Sequence, residues 1–393
     1  MKNKKFLGML FAFMFVFFVM LANMGCGGGS NRVYNGNGLI DSKGVPISEE
    51  YFLDYMFMEY VKMFDLDGDG FLSNAEIAAV KVMDLRGVAD YESSSVSQDI
   101  NSSALYFSVE KIEGIEYFTA LESLDCSNNL LTELDLSKNT ALQYLNCSNN
   151  QLTSLNLSNN ADVKYLNCIG NNLTKLDVSG YTALEWLDCG NNQLTELDLS
   201  NNTALKNLDC ESNQLTKLDL SKNTALEDLF CIYNRLTELD VRNCTALRDL
   251  NCRENQLTEL DLSNNTALES LYCGSNQLTK LDVSVCTALD GLHCESNRLT
   301  RLDVSNKTDL RTLDCSNNQL TSLNVGNCSV LKQLYCQNNQ LTDLDLRTCP
   351  NIQLMDCRGN RLTTLDLREN KKIAWDFDGG PPIHYDEGVT VLR

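Results

Sequence analysis

Leu121-Glu122-Ser123-Leu124-Asp125-Cys126-Ser127-Asn128-Asn129-Leu130-Leu131-Thr132-Glu133-Leu134-Asp135-Leu136-Ser137-Lys138-Asn139-Thr140-Ala141 is one unit of a strict 21-residue repeat, and twelve such units follow one another, the last opening at Ile352. Leu124 and Cys126 point to one side of an extended chain, and Ser123 and Asp125 to the other, as the period of two in a strand demands. Asn129 stands where that strand must turn, and its carboxamide can pair backbone groups that the turn leaves unbonded. A single unit has nothing against which to bury its apolar side, whereas stacked units share one continuous core. The second half, Leu134-Asp135-Leu136, alternates in the same way and predicts a second short parallel strand on the opposite side.

The unit closely resembles the leucine-rich repeat, L-x-x-L-x-L-x-x-N-x-L, with Cys in the third apolar slot. The period and the lead-in Gly114-Ile115-Glu116-Tyr117-Phe118-Thr119-Ala120-Leu121 resemble the bacterial, internalin-like members of that family. The resemblance implies a right-handed leucine-rich repeat solenoid with a parallel β-sheet on the concave face over residues 104–372, and the period adds a second short parallel sheet opposite. After Ile373 the pattern gives way to Trp375, Phe377, Gly379-Gly380 and Pro381-Pro382, which reads as a C-terminal cap over residues 373–393.

Seventeen cysteines would suggest a disulfide framework in a small secreted chain. Here twelve of them, from Cys126 to Cys357, recur in one core column, and no C-x-x-C occurs, so they read as small buried hydrophobes. Cys244, Cys286, Cys328 and Cys349 replace the second Asn of the unit. Only Cys328 and Cys349 fall on adjacent rungs, where a spacing of about 5 Å permits a disulfide as well as two free thiols. Asp135, Asp177, Asp198, Asp219, Asp240, Asp261, Asp282, Asp303, Asp345 and Asp366 form a further column, with Asn156 and Asn324 in its gaps. Neighbouring carboxylates about 5 Å apart repel by roughly 1 kcal/mol in water, a cost offset if each Asp also accepts from a turn N–H. A cation-binding ribbon is the other reading of that column.

Lys2, Lys4 and Lys5 precede an apolar run from Phe6 to Ala22, and Gly25-Cys26-Gly27-Gly28-Gly29-Ser30 follows. This is the layout of an export signal over residues 1–25. A Cys directly after a small residue resembles the lipobox of bacterial lipoproteins, which implies lipidation of Cys26, although Asn23 sits where an aliphatic residue is usual. Cleavage after Ala22 or Gly25, or retention as an uncleaved anchor, are the competing readings. Residues 26–47 read as a flexible tether.

Asp65-Leu66-Asp67-Gly68-Asp69-Gly70-Phe71-Leu72-Ser73-Asn74-Ala75-Glu76 fills every position of a twelve-residue calcium loop. Asp65, Asp67 and Asp69 supply carboxylates, Phe71 its carbonyl, Ser73 a water-mediated contact, and Glu76 two oxygens, while Leu72 points into the local core. Ser48 is a candidate helix cap, with Phe52, Tyr55, Met56, Tyr60, Met63 and Phe64 on one helical face, and Ile77 and Val80 continue the packing beyond the loop. The segment resembles a lone EF-hand, which implies Ca2+ as the cofactor within an N-terminal cap over residues 48–103. Lacking a second hand, it is expected to be structural, with an affinity on the order of 10⁻⁴–10⁻³ M.

A net charge of −21 argues against nucleic acid or anionic lipid as a partner, leaving membrane contact to the N-terminal anchor. Tyr144, Tyr165 and Trp186 occupy one outward column on three consecutive rungs, and Phe230, Tyr272, His293 and Tyr335 recur in the next. Rigid rings in a row suit a contact surface. The expected function is a monomeric, calcium-binding bacterial surface lipoprotein, not an enzyme, that engages a protein or carbohydrate ligand on its concave face. A structural envelope scaffold without a soluble ligand is the alternative.

Overall fold

The computed structural model describes residues 33–35, 38–40, 43–87, 108–370 and 383–393. The export signal, Cys26 and half of the tether therefore lie outside the described residues, as does the Trp375–Pro382 part of the C-terminal cap.

Each of the twelve repeats contributes one three-residue strand, beginning with Ser123–Asp125 and ending with Leu354–Asp356, to a single fourteen-stranded parallel sheet. Residues pair in register with their counterparts 21 positions on, as in Leu124↔Leu145 and Leu208↔Leu229. The inward residues of these strands are fully buried, Leu124, Leu145 and Cys147 among them. Burying one Leu contributes roughly 1.5–3 kcal/mol relative to exposure, and it is the neighbouring rung that supplies the cover.

The two outermost strands come from outside the repeats. Val82–Asp84 pairs with Ser123–Asp125 at one end, and Ile383–His384 pairs with the last repeat at the other. The helix–loop–helix segment is thereby joined to the solenoid as its first rung. Helix α1 (Tyr55–Val61) and helix α2 (Asn74–Ala79) flank the loop. Ser48 does not cap α1. The cap is Asp54, whose carboxylate accepts from the N–H groups of Met56 and Phe57. Phe57, Met58, Tyr60 and Val61 are buried while Tyr55 and Met63 are exposed, so the inward face of α1 is not the one expected. Leu72, Ile77 and Val80 are buried as expected.

The second sheet is shorter than the alternation predicts. Among the described residues its ladders join Arg301–Asp303 to Ser322–Asn324 and Thr364–Asp366 to Thr390–Leu392, with a single bridge between Asp135 and Asn156. The residues opposite Asp in these pairings are Asn324, Leu392 and Asn156. None is an Asp. Asn156 donates its amide N–H to Asp135, replacing repulsion with a hydrogen bond.

Two Asn columns stitch the rungs together, and they differ in kind. In the first, Asn213 accepts from Leu194 N–H on the preceding rung and donates to the carbonyls of Cys189 and Cys210. Asn129 through Asn360 repeat this two-ended bond. In the second column only the amide N–H₂ is used: Asn223 donates to Leu199 and Asn202 carbonyls, while its oxygen accepts nothing. A donor alone suffices there, and other donors replace Asn accordingly. Tyr181 uses its hydroxyl, Lys307 its ammonium, and Cys328 and Cys349 their thiols, 3.1, 2.8, 3.1 and 3.1 Å from a carbonyl of the preceding rung. Cys328 and Cys349 are free and buried, so the disulfide that their spacing permits is not formed.

Asn213→Ala is expected to lower stability by about 1–3 kcal/mol, because a buried N–H and two carbonyls lose their partner. Asn223→Cys should cost well under half of that. Urea denaturation compares the two, and equal losses would refute the distinction between the columns.

Candidate functional site

The calcium-loop sequence folds as a tight turn with Gly68 and Gly70 in the left-handed region, where a side chain would be strained. Asp65 accepts from the N–H groups of Gly68 and Gly70, Asp67 from Asp69, and Asp69 from Phe71. Glu76 reaches back to Leu66 N–H at 2.7 Å and to Ser73 N–H and Oγ. Burial acts to raise the Glu76 pKa, but the bonds from Ser73 and Leu66 prevail and hold it below the usual carboxylate range. The donor atoms of Asp65, Asp67 and Glu76 lie within 4.8 Å of one another. Asp69 stands outside that trio, and the Ser73 hydroxyl is engaged by Glu76 while it caps α2. A convergent, all-oxygen donor set fits a hard cation such as Ca2+. Beside this loop Val45–Pro46 pairs antiparallel with Phe71–Leu72, and Ile47 N–H bonds Gly70 O.

On the long sheet, Tyr144, Tyr165 and Trp186 are register partners, as the period predicts. Their rings stack: 4.5 Å and 10° between the tyrosines, 5.8 Å and 23° between Tyr165 and Trp186. Tyr272 and His293 stack at 4.7 Å and 11° in the adjacent column. Phe230 stands two rungs from Tyr272, with Asn251 between, and Tyr335 two rungs from His293, with Asp314 between. The seven residues thus comprise two stacks, with Phe230 and Tyr335 each one intervening rung away from the Tyr272–His293 pair. All seven are half-buried.

Reading by columns misses three features of this face. Tyr233 is 60% exposed with φ +52°, at a turn position held in most other repeats by Asn, Ser or Gly. A bulky residue in left-handed backbone, pointing to solvent, is a candidate contact residue. Glu295 lies across Gly274 of the preceding rung to reach Arg253 at 2.5 Å, two rungs away. Asp188 and Asp209, neighbours beside the aromatic row, are largely buried, and burial pushes them up to about 6 and about 7.

The family pattern "Leucine Rich repeats (2 copies)" matches residues 308–348. The solved functional domain of InlJ from Listeria monocytogenes, described as including a cysteine ladder, is 35% identical with a TM-score of 0.68, over 84% of this chain and 75% of that one. This chain belongs to the internalin-like leucine-rich repeat family. An internalin, InlF from Listeria monocytogenes strain 4b F2365, aligns over 84% of this chain and 96% of its own at 23% identity and a TM-score of 0.69, a likeness of fold. YopM from Yersinia pestis, at 28% identity, covers 70% of this chain and 77% of its own with a TM-score of 0.58. No curated protein sequence matches. This internalin-like chain carries its own cysteine column, with all twelve thiols buried and free. Burial pushes each of them up, Cys252 to about 12, so they remain neutral and inert.

The Asp column of the second face accepts turn N–H groups throughout, as Asp219 does from Ser221 and Asp240 from Arg242. Those bonds lower the Asp219 pKa, and Arg242 brings Asp240 to about 2. Such groups stabilise the fold above the ordinary Asp value near 4, and that stability is lost as pH falls through the lowered value. Asp188 and Asp209 have the opposite sign. Between about pH 4 and 7 the folded state keeps protons there that the unfolded chain releases, so stability falls as pH rises. The double variant Asp188→Asn/Asp209→Asn should therefore melt higher than the parent at pH 8, with the gap narrowing as pH falls from 7 towards 4. A gap independent of pH, measured by thermal melts with calcium chelated, would contradict this assignment.

Proposed function

We propose that this chain is an exported, non-enzymatic surface protein whose long-sheet face binds a macromolecular partner, with a structural calcium ion at its N-terminal end. The observation that carries the reading is the three-ring row Tyr144–Tyr165–Trp186 on consecutive rungs of one rigid sheet. Stacking holds these side chains in place before any partner arrives, so little rotamer entropy remains to be lost on binding. Tyr165 is covered on both faces by its neighbours, and the row therefore offers ring edges and two end faces. Edge contact suits a protein surface better than a pyranose, which stacks on an open ring face. A glycan ligand is the competing outcome. The export-signal layout of residues 1–30 supports anchoring at the bacterial envelope through lipidated Cys26.

Within the loop, Asp65, Asp67, Asp69 and Glu76, with the Phe71 carbonyl and Ser73 through water, would hold the calcium, which would offset the mutual repulsion of the carboxylates. Glu76 also ties the loop to the capping bond of α2, and the chain beyond α2 becomes the first strand of the sheet. Ion binding is thereby linked to the stability of the solenoid end. Calorimetry should show one calcium bound and a raised melting temperature, both lost in Glu76→Gln. No heat and no change in melting in the parent chain would rule calcium out.

The triple variant Tyr144→Ala/Tyr165→Ala/Trp186→Ala should keep its melting temperature within a few degrees while weakening partner binding more than tenfold, as expected for a desolvated aromatic anchor worth about 2 kcal/mol. Binding to arrayed extracellular proteins and to arrayed glycans gives the readout and separates the two partner classes. Unchanged binding by the triple variant would move the site off this row.

A further inference from the structure

The sheet face carries a second group of ligating side chains, in which an imidazole replaces one carboxylate. His293 and Asp314 are register partners on adjacent strands, and Glu295 follows His293 by two residues on the same side of the chain. The donor atoms of the three lie within 4.8 Å of one another. Each is held from outside the group. The Tyr272 ring stacks on the His293 imidazole. Asp314 accepts from Ser316 N–H at 3.0 Å and Ser316 Oγ at 2.7 Å through one oxygen, Oδ1.

Glu295 supplies the deciding observation. It is only 9% exposed, and its Oε1 pairs with Arg253. Its Oε2 is buried without a hydrogen-bond partner. A buried carboxylate oxygen left unpaired costs free energy of desolvation, about 1–3 kcal/mol or more, and such atoms call for an explanation such as a bound ion. Gly274 lies directly beneath, and a Cβ there would collide with the carboxylate. A glycine one rung back, a guanidinium two rungs back, and an imidazole and a carboxylate alongside together place the Glu295 carboxylate beside two further donors.

We propose that His293, Glu295 and Asp314 form a second metal site, for a borderline divalent cation such as Zn2+, distinct from the calcium loop. The imidazole argues against calcium or magnesium, which take oxygen donors, and for a first-row transition ion, which accepts mixed nitrogen and oxygen ligands. Arg253, Tyr272 and Ser316 act as the outer contacts that orient the ligands. Three protein ligands leave a fourth position, for water or for a side chain of a docked partner. The site rests on its own residues and stands whether or not the aromatic row binds anything.

The test titrates Zn2+ into the full-length mature chain by calorimetry with calcium saturating, so that the loop is already filled. The parent should bind one equivalent. His293→Gln and Glu295→Gln should each weaken it at least tenfold with unchanged melting temperature in the absence of zinc. Gly274→Ala, which displaces Glu295 without removing a ligand, should weaken it by a smaller factor, and His384→Gln, the other histidine, should leave it unchanged. Cobalt substitution guards against capture by cysteine: nitrogen and oxygen ligation gives d–d bands without the near-ultraviolet charge-transfer band of a thiolate. Absence of binding by the parent, undiminished binding by both ligand variants, or a thiolate band on cobalt would each overturn the site.

Discussion

The carboxamide of Asn129, repeated on every rung to Asn360, is the bond on which the solenoid depends. From Asn150 on, each accepts from a leucine N–H of the rung before it and donates to cysteine carbonyls on both rungs, while Asn129 accepts from Val109 N–H and donates to the Leu85 and Cys126 carbonyls. Those groups lie where the strand ends, inside the core and out of reach of water. Without the amide, every turn would bury unpaired N–H and C=O groups, at about 1–3 kcal/mol for each group left unsatisfied. No other side chain presents an acceptor and two donors on so short a stem, so Asn fills the position in all twelve repeats. The second Asn column uses one function of the same side chain, and there a phenol, a thiol or an ammonium stands in its place. The tolerance of a column is therefore set by how many hydrogen bonds it must make.

The two faces differ in how far they pair. The long sheet pairs along its whole length, even where carboxylates are register partners, as in Asp188↔Asp209 and Asp228↔Asp249. On the opposite face the outward residue is Asp in ten repeats, and each carboxylate already serves the turn two residues on. Where pairing occurs there among the described residues, the residue opposite Asp is Asn156, Asn324 or Leu392. Asn156 and Asn324 also adjoin Asp177 and Asp345, and no ladder forms on that side. An alternation of apolar and polar residues therefore marks an extended segment without deciding whether it pairs.

The architecture was legible because repetition averages out local ambiguity: twelve copies of one unit specify register, inward column and turn in a way that a single copy could not. Outside the repeats that advantage disappears. Ser48 and Asp54 are both good helix caps, and Asp54 prevails with one carboxylate oxygen on Met56 and Phe57 N–H and the other accepting from Glu110 N–H, a bond far along the chain that local sequence does not reveal. Val82–Asp84 has no 21-residue counterpart to mark it as a rung, and only the ladder to Ser123–Asp125 makes it one. Of the site residues, the stacked aromatics followed directly from the period. Glu295 did not, because its placement arises from a coincidence of three rungs, a glycine beneath and an arginine beyond, whereas reading by columns treats each position separately.

The solenoid also constrains how function can arise on it. Each rung fixes its neighbours through the Asn and Leu columns, so outward residues are free to change while their positions are not. Residues 21 apart are held side by side, close enough for rings to stack and for donor atoms to converge, whatever their identity. A contact surface or metal site then needs no new loop or hinge. It needs two or three substitutions at one column height on successive rungs, as in Tyr144–Tyr165–Trp186 and in His293–Asp314. Sites built in this way are rigid from the start, since the scaffold has already met the cost of ordering their backbone. Such a face lends itself to selective binding more readily than to catalysis that requires motion.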